Sequence, residues 1–417
     1  MGKMFRYIDL FCGIGGFHQG IDRVAKKNKF ECECVFAADN DLKAAEVYKL
    51  NYNIDAFYDL KSDETHELID AAIGNEPLNC IFAGFPCQPF SKAGNQEGFK
   101  NQIKGTVFFE IEKIIQRHHP EYILLENVRN LKNHDNGNTF SVIKSTLESE
   151  GYLIDDIIIS PNHISAIPAL RERIFILAYN KEKLANLDIN TYKINKDMKM
   201  HKTSLYTNKD IKKGLRKTYF KTDVKSDLEE DKIKTIDMWN DLFHMLKDNG
   251  GYIISPLWPH FFDETSTKGK DIPEWKMKII KKNQKFYLDN KEIYDRWKRK
   301  YEDYYNSLSM SDSKFEWNAG EDIDDIWQGI IQFRPSGVRV KRPDFIPTLV
   351  AINQTPILGY EKRYLQPGEM AKLYGFKRLK FGKELKNEKY KQLGNTVSVD
   401  VVEFLINHML KVTNYGG

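Results

Sequence analysis

The chain has 417 residues, 63 lysines and arginines against 59 aspartates and glutamates for a net charge of +4, and 41% hydrophobic residues, which excludes a disordered or fibrous chain and suggests two domains, or one large and one small. With pI near 8.5 it is mildly basic, which accommodates a polyanionic partner without requiring one. No run of about 18 apolar residues and no signal-peptide pattern occurs, and Cys12, Cys32, Cys34, Cys80 and Cys87 show no C-x-x-C spacing, so a membrane span, a disulfide framework and a zinc site are not indicated and a soluble, cytoplasmic protein is expected.

Phe5 to Phe11 reads as a strand that runs into Cys12-Gly13-Ile14-Gly15-Gly16-Phe17 and then a helical pattern from His18 to Lys26. Strand, glycine turn and helix make a cradle of backbone amides for a ligand; a tight turn without a ligand gives the same pattern. The dinucleotide fingerprint needs a third glycine where His18 stands, which disfavours a nicotinamide cofactor. A second strand, Glu33 to Ala38, ends on Asp39, where doubly wound folds grip ribose hydroxyls. A helix from Leu42 to Leu50 follows, then a weaker strand near Ile54 to Phe57 closed by Asp59, for which an ordinary surface turn is the alternative.

Asn79 to Ala83 reads as a short buried strand, left through Gly84-Phe85-Pro86-Cys87-Gln88-Pro89-Phe90-Ser91. Pro86 and Pro89 fix φ and remove two donors, so this is a stiff loop at a strand's carboxyl end, where open α/β sheets place ligands. Cys87 there suits a nucleophile or a buried structural cysteine. Ser91 to Lys104, polar with Gly94 and Gly98, has the composition of a lid. A helix from Gly105 to His118, a strand from Glu121 to Glu126, a helix from Thr139 to Glu150 and a strand from Ile154 to Ile159 come next. Glu126 exits its strand beside Cys87 in such a topology; a capping or solvated glutamate is the alternative. Arg171-Glu172-Arg173 opens the strand Ile174 to Tyr179, and alternation puts both arginines on one side, as a surface ion-pair pattern or as a grip on an anion or base edge.

From residue 181 to about 345 the βα rhythm is lost. All six tryptophans lie here: Trp239, Trp258, Trp275, Trp297, Trp317 and Trp327. They read mainly as the core of a smaller domain, and Pro273 to Asn306 reads as helical. Arg334-Pro335-Ser336-Gly337-Val338-Arg339-Val340-Lys341-Arg342 carries four cations, as a solvated charged edge or as a phosphate or base contact. Gly394-Asn395-Thr396 turns into a closing helix from Val397 to Val412, capped by Thr396 or Asn395.

In order, DLFCGIGGF, AADND, GFPCQPFS, ENV, RERIF and QLGNTVSVDVV resemble the C5-cytosine DNA methyltransferases of bacterial and phage restriction–modification systems, over roughly 5–180 and 358–412. The resemblance implies an α/β fold: a Rossmann-like, doubly wound S-adenosylmethionine-dependent methyltransferase sheet with a smaller target-recognition domain. It gives a catalytic domain over 1–185 plus 385–417 and a recognition domain over 186–384. S-adenosylmethionine would lie against Phe11, Gly13 and Gly15, with Asp39 on its ribose, Asp59, Pro86 and Val107 around its adenine and methionine parts, and Asn395 approaching from the last motif. Cys87 would be the nucleophile, Glu126 would hold the cytosine edge, and Arg171 and Arg173 would lie on the O2 side. Gln88, Ser91, Arg334, Arg339 and Lys341 would contact double-stranded DNA. The implied product is S-adenosylhomocysteine, no metal is required, and a monomer is expected, with any cognate restriction endonuclease acting separately. Three positions depart from the family pattern: Ala169 for its glutamine, Asn40 for an aromatic that packs on adenine, and Gly368 for an arginine.

The chemistry explains the residue types. C5 of cytosine is a poor nucleophile; a thiolate added at C6 moves electron density onto C5. The resulting charge falls on N3 and O2, which an acid at Glu126 and a guanidinium at Arg173 would absorb. Neither C5 nor C6 is accessible inside a duplex, so the base must be turned out. An RNA cytosine methyltransferase and a catalytically silent DNA-binding homologue are the rivals; the long aromatic middle region argues against the first, and intact Cys87, Glu126, Arg171 and Arg173 against the second.

Overall fold

The computed structural model describes residues 4–86, 106–184, 187, 192–196, 198–206, 216–221, 224–267, 271–349 and 354–415. Two compact units emerge, Met1–Lys202 with Met370–Gly417, and Thr203–Glu369. Their limits fall at 203 and 369, inside the 186 and 384 read from the sequence.

The first unit is built on a sheet of six strands: β1 Phe5–Leu10, β2 Cys32–Ala38, β3 Cys80–Ala83, β4 Tyr122–Val128, β5 Tyr152–Ile159 and β6 Arg173–Asn180. Their order is β2-β1-β3-β4-β6-β5. β1 to β4 pair in parallel, and β6 runs antiparallel to both β4 and β5. The central strands are apolar almost throughout because helices cover both faces. Ile123 and Leu125 point into a core shared with α3 Asp63–Ile73, α4 Val107–His118 and α5 Asn138–Ser149. Tyr122 and Leu124 point to the other core, shared with α1 Gly16–Asn28 and the closing helix Val399–Val412.

Two glycines allow α1 to press against that closing helix. A Cβ on Gly16 would lie 2.5 Å from the Val397 side chain, and one on Gly20 2.3 Å from that of Val402. Arg23 of α1 pairs with Asp400 at 2.7 Å, so both ends of the chain belong to one body.

Several expectations need correction. The weak strand near Ile54 to Phe57 reduces to a single parallel bridge between Asp39 and Phe57, too little for a sheet strand. Gly394 and Asn395 end a helix of their own, Lys386–Asn395, and the closing helix starts at Val399 behind Ser398. Thr396 therefore does not cap the closing helix: it is the C-cap of Lys386–Asn395, its N–H donating to the Gln392 carbonyl at 3.1 Å, and its hydroxyl donates to the Val397 carbonyl at 3.4 Å. The helix read over Pro273 to Asn306 is three helices, Glu274–Asp289, Lys291–Lys300 and Glu302–Ser307, broken where Asn290 and Tyr301 leave helical angles.

The second unit carries a sheet in the order β11-β10-β8-β9-β7, from β7 Phe315–Asn318, β8 Ile330–Arg334, β9 Gly337–Lys341, β10 Ile357–Leu358 and β11 Arg363–Tyr364. Helix Glu230–Asp248 covers it, and Trp239 stacks on both Trp297 and Phe315 at 5.3 Å between centroids. The core reading of the aromatics thus holds for Trp239, Trp297 and Trp327, whereas Trp275 is 63% exposed. Since all six tryptophans fall in this unit, tryptophan fluorescence excited at the red edge, where tyrosine does not absorb, reports on this unit. Trp239→Ala should lower stability in a denaturant titration read by fluorescence by about 3–5 kcal/mol, the usual cost of emptying a buried indole site.

No helix among the described residues is long and apolar enough to cross a membrane.

Candidate active site

The carboxyl ends of β1, β2, β3 and β4 open on one cavity of about 490 Å³. Phe11 and Gly13 border it because the chain must turn sharply out of β1; both have left-handed backbone, φ 54° and 52°. Gly13 donates its N–H to Asp39 Oδ2 at 2.8 Å, and Asp41 donates its own to Asp39 Oδ1 at 2.8 Å. The carboxylate is thus fixed by one backbone N–H on each oxygen, which leaves each oxygen able to accept another hydrogen bond. Burial pushes Asp39 above the ordinary carboxylate range, and those two N–H groups pull it back.

Gly15 does not line the cavity. It sits at φ 85°, with its carbonyl accepting from the Tyr52 hydroxyl at 3.0 Å, so it serves the turn. His18, where a dinucleotide fold would carry glycine, is buried in the same packing: Nδ1 lies 2.7 Å from the Tyr48 hydroxyl and the ring stacks on Tyr52 at 3.9 Å. Burial lowers its pKa to about 4.

The opposite wall is polar. Glu126, 7% exposed, lies near the carboxyl end of β4, and its Oε1 lies 3.1 Å from Arg173 Nε. Desolvation raises the Glu126 carboxyl above its ordinary range, with Arg173 and then Arg171 opposing. Arg173 is itself lowered to about 10, mainly by burial and then by Arg171.

The surface ion-pair reading of Arg171 is wrong. Arg171 is 2% exposed, hydrogen-bonds through Nη2 to the Gly394 carbonyl at 2.9 Å and lies over the Tyr374 ring at 5.2 Å. Its Nε and Nη1 are buried beside the cavity without a hydrogen-bond partner among the described residues. Such orphaned donors are costly unless a ligand acceptor completes them.

Asp59, Pro86, Val107 and Asn395 also border the cavity. Asn40, where an aromatic was expected, is there too, and Tyr58 brings an aromatic ring to the same rim, 4.9 Å from Phe36. Asn127 ties the walls together: its Nδ2 donates to the Phe85 carbonyl at 2.9 Å, just before Pro86. Sequence reasoning missed both; for Asn127 the available signal was an amide at the exit of a buried strand, and for Tyr58 there was none.

Cys87, Gln88 and Ser91, with the polar stretch up to Lys104, lie outside the described residues. The four described cysteines are all disfavoured as thiolates: burial raises Cys12, Cys34 and Cys80 far above the ordinary thiol value and Cys32 to about 12. In the second unit, Arg339 pairs with Glu316, and Arg334 Nε donates to Gln354 Oε1 at 3.2 Å. Lys341 lies over the Phe345 ring at 5.9 Å, and burial lowers its pKa. Of the hairpin's cations, Arg339 and Arg342 are held by carboxylates of the same unit, whereas Arg334 Nη1 is buried without a hydrogen-bond partner among the described residues.

A family model described as C-5 cytosine-specific DNA methylase matches residues 5–411. The chain is 28% identical to the type II methyltransferase M.AluI of Cellulosimicrobium cellulans, over 98% of this chain and 92% of that one. It is 40% identical to M.BanI of Aneurinibacillus aneurinilyticus over 41% of this chain and 38% of that one. Its fold matches the methyltransferase EhMeth of Entamoeba histolytica with TM-score 0.51 and 17% identity, over 98% of each chain. A match along almost the whole length, with the family's acid, arginines and glycine turn around one cavity, means that this chain belongs to the C-5 cytosine-specific DNA methylases and is a DNA (cytosine-5) methyltransferase.

Proposed function

We propose that the chain methylates C5 of a cytosine turned out of a specific double-stranded DNA sequence, through a transient bond between Cys87 and C6. The observation that carries this reading is the cavity itself, where Glu126 and two arginines face Asp39 and the glycine turn, and whose rim at Pro86 leads directly into Cys87.

S-adenosylmethionine fits the residues present: Asp39, held by Gly13 and Asp41, can accept a further hydrogen bond on each oxygen from a ribose diol, while Tyr58, Val107 and Pro86 supply apolar and aromatic surface. When bound, it supplies the sulfonium methyl that C5 takes, leaving S-adenosylhomocysteine. Phe11, Asp59 and Asn395 complete its surround, and Gly15 acts at one remove by shaping the turn.

The remaining chemistry belongs to the chain. The Cys87 thiolate forms the S–C6 bond, and the C5=C6 electrons move to C5. Glu126 in its acid form donates to N3, and Arg173 with Arg171 stabilises the charge reaching O2. After transfer, H5 leaves as a proton, the C5–H electron pair restores C5=C6, and the C6–S pair departs with sulfur, returning the thiolate. The second unit supplies target recognition in this reading, and the chain works as a monomer with any restriction endonuclease separate.

The test uses duplex DNA carrying 5-fluorocytosine, whose fluorine cannot leave as H5 does. Wild-type protein and S-adenosylmethionine should give a denaturation-resistant protein–DNA complex whose peptide map ends at Cys87. Efficient methylation of ordinary duplex with no trapped complex on the fluorinated one overturns the covalent route.

A further inference from the structure

We infer that the outward face of helix Glu274–Asp289, centred on Lys281 and Lys282, holds the sugar–phosphate backbone of duplex DNA. The inference rests on the DNA reading above and gives that duplex a contact surface other than the basic hairpin at Arg334–Arg342.

Charge points there first. Between Glu274 and Lys300 stand ten lysines and arginines against four acidic residues, whereas the entire chain carries a net +4. This stretch therefore concentrates more positive charge than the molecule has in total, and the rest is slightly acidic. A neutralising partner for it must be anionic, and the family's substrate is a dense polyanion.

The helix is fixed in rotation by what it buries. Ile280, Asn283 and Phe286 face the core of the second unit. Asn283 Nδ2 donates to the Pro256 carbonyl at 3.1 Å and its Oδ1 accepts from the Trp258 N–H at 2.6 Å. On the opposite face Lys278, Lys281, Lys282 and Lys285 are all exposed. Their spacing at i, i+3, i+4 and i+7 makes one stripe about 10 Å long. Trp275, at 63% exposure, heads the stripe one turn before Lys278.

The pairing within the stripe is graded. Lys278 and Lys285 reach Glu274 and Asp289 at 2.8 and 2.9 Å, along the helix and in water, where such pairs are weak and exchangeable. Lys281 and Lys282 have no carboxylate partner among the described residues. In the hairpin, Arg339 is paired with Glu316 and Arg342 with Asp322 and Asp344, and Lys341 is half-buried, its pKa lowered mainly by that burial. Lys281 and Lys282 by contrast are both exposed. Ammonium groups alone carry no bidentate base code, so the contact is with phosphates and is independent of sequence.

The test compares full-length wild type with Lys281→Gln/Lys282→Gln and Lys281→Arg/Lys282→Arg on a labelled duplex of random sequence, by anisotropy over a salt series. Each phosphate contact adds about 0.9 to the slope of log affinity against log salt. The glutamine pair should therefore lower that slope by about 2, making the affinity loss between about 50 and about 200 mM salt roughly tenfold smaller. The arginine pair should keep the wild-type slope, and all three proteins should melt at the same Tm. An unchanged slope in the glutamine pair, or an equal drop in the arginine pair, overturns the assignment. If wild type meanwhile binds and methylates DNA, the methyltransferase reading stands; a wild type that binds no duplex at any salt overturns both.

Discussion

Cys87→Ser should abolish methyl transfer to duplex DNA, by about 10³-fold or more in kcat, while S-adenosylmethionine still binds as tightly as to the wild type. A cysteine thiol near its ordinary value of about 8.5 is a few per cent ionised at neutral pH, and the thiolate is intrinsically nucleophilic; a serine hydroxyl in the same loop has no comparable anion. The residues that face the cofactor in this reading are left alone by the change, since Asp39 is oriented by Gly13 and Asp41, and the rim at Phe85 by Asn127. Rescue by a neighbouring thiol is ruled out by where the others sit: Cys12 and Cys80 are buried and far less acidic than usual, as is Cys34, and Cys32 is raised to about 12. Calorimetry for the cofactor, tritium transfer for kcat and trapping on 5-fluorocytosine duplex separate the roles. A serine variant that transfers at the wild-type rate would remove Cys87 from the chemistry.

How much of this was legible in the sequence depends on how local the cause was. β1, β3 and β4 announce themselves as apolar runs because both faces of a central parallel strand are buried, and the turn after β1 announces itself through glycines that left-handed backbone requires. Asp39, Glu126 and Pro86 follow, since each stands where such a strand ends. For Arg171 the local pattern left a surface ion pair open beside a grip in the site, because its hydrogen-bond partner is the carbonyl of Gly394, 223 residues later, and no local pattern marks an arginine whose partners arrive from the far end of the chain. The helix breaks at Asn290 and Tyr301 were equally hidden: neither position has proline or glycine, and the break follows from packing Trp297 and Tyr294 into the tryptophan core. In the basic run at Arg334–Arg342 the ion pairs were likewise hidden, because the anions Glu316 and Asp322 lie on other segments.

Glu126→Gln should lower kcat by about 10²–10³-fold and remove the alkaline limb of the pH–rate profile. The sign follows from the environment. Burial raises the Glu126 carboxyl above its ordinary range, against the pull of Arg173 and Arg171, so its acid form persists to higher pH than in water. That acid form, the one able to donate to N3, is present below the raised value and is lost as pH climbs through it. The Cys87 thiolate has the opposite dependence, appearing as pH rises, so wild type should show a bell and the glutamine variant a curve that only rises. Stability moves in the same direction: a carboxyl raised in the folded state contributes fully below its unfolded value and loses that contribution as pH rises through the folded one. Glutamine is the informative substitution because its amide oxygen can still accept from Arg173 Nε, now at 3.1 Å from the carboxylate, and keeps the wall in shape. Glu126→Ala would instead strip the half-buried Arg173 guanidinium of its carboxylate partner, a loss of up to about 3–5 kcal/mol that confounds activity with folding. If the glutamine variant retains both wild-type kcat and the alkaline limb, another group protonates the ring and the assignment of Glu126 fails.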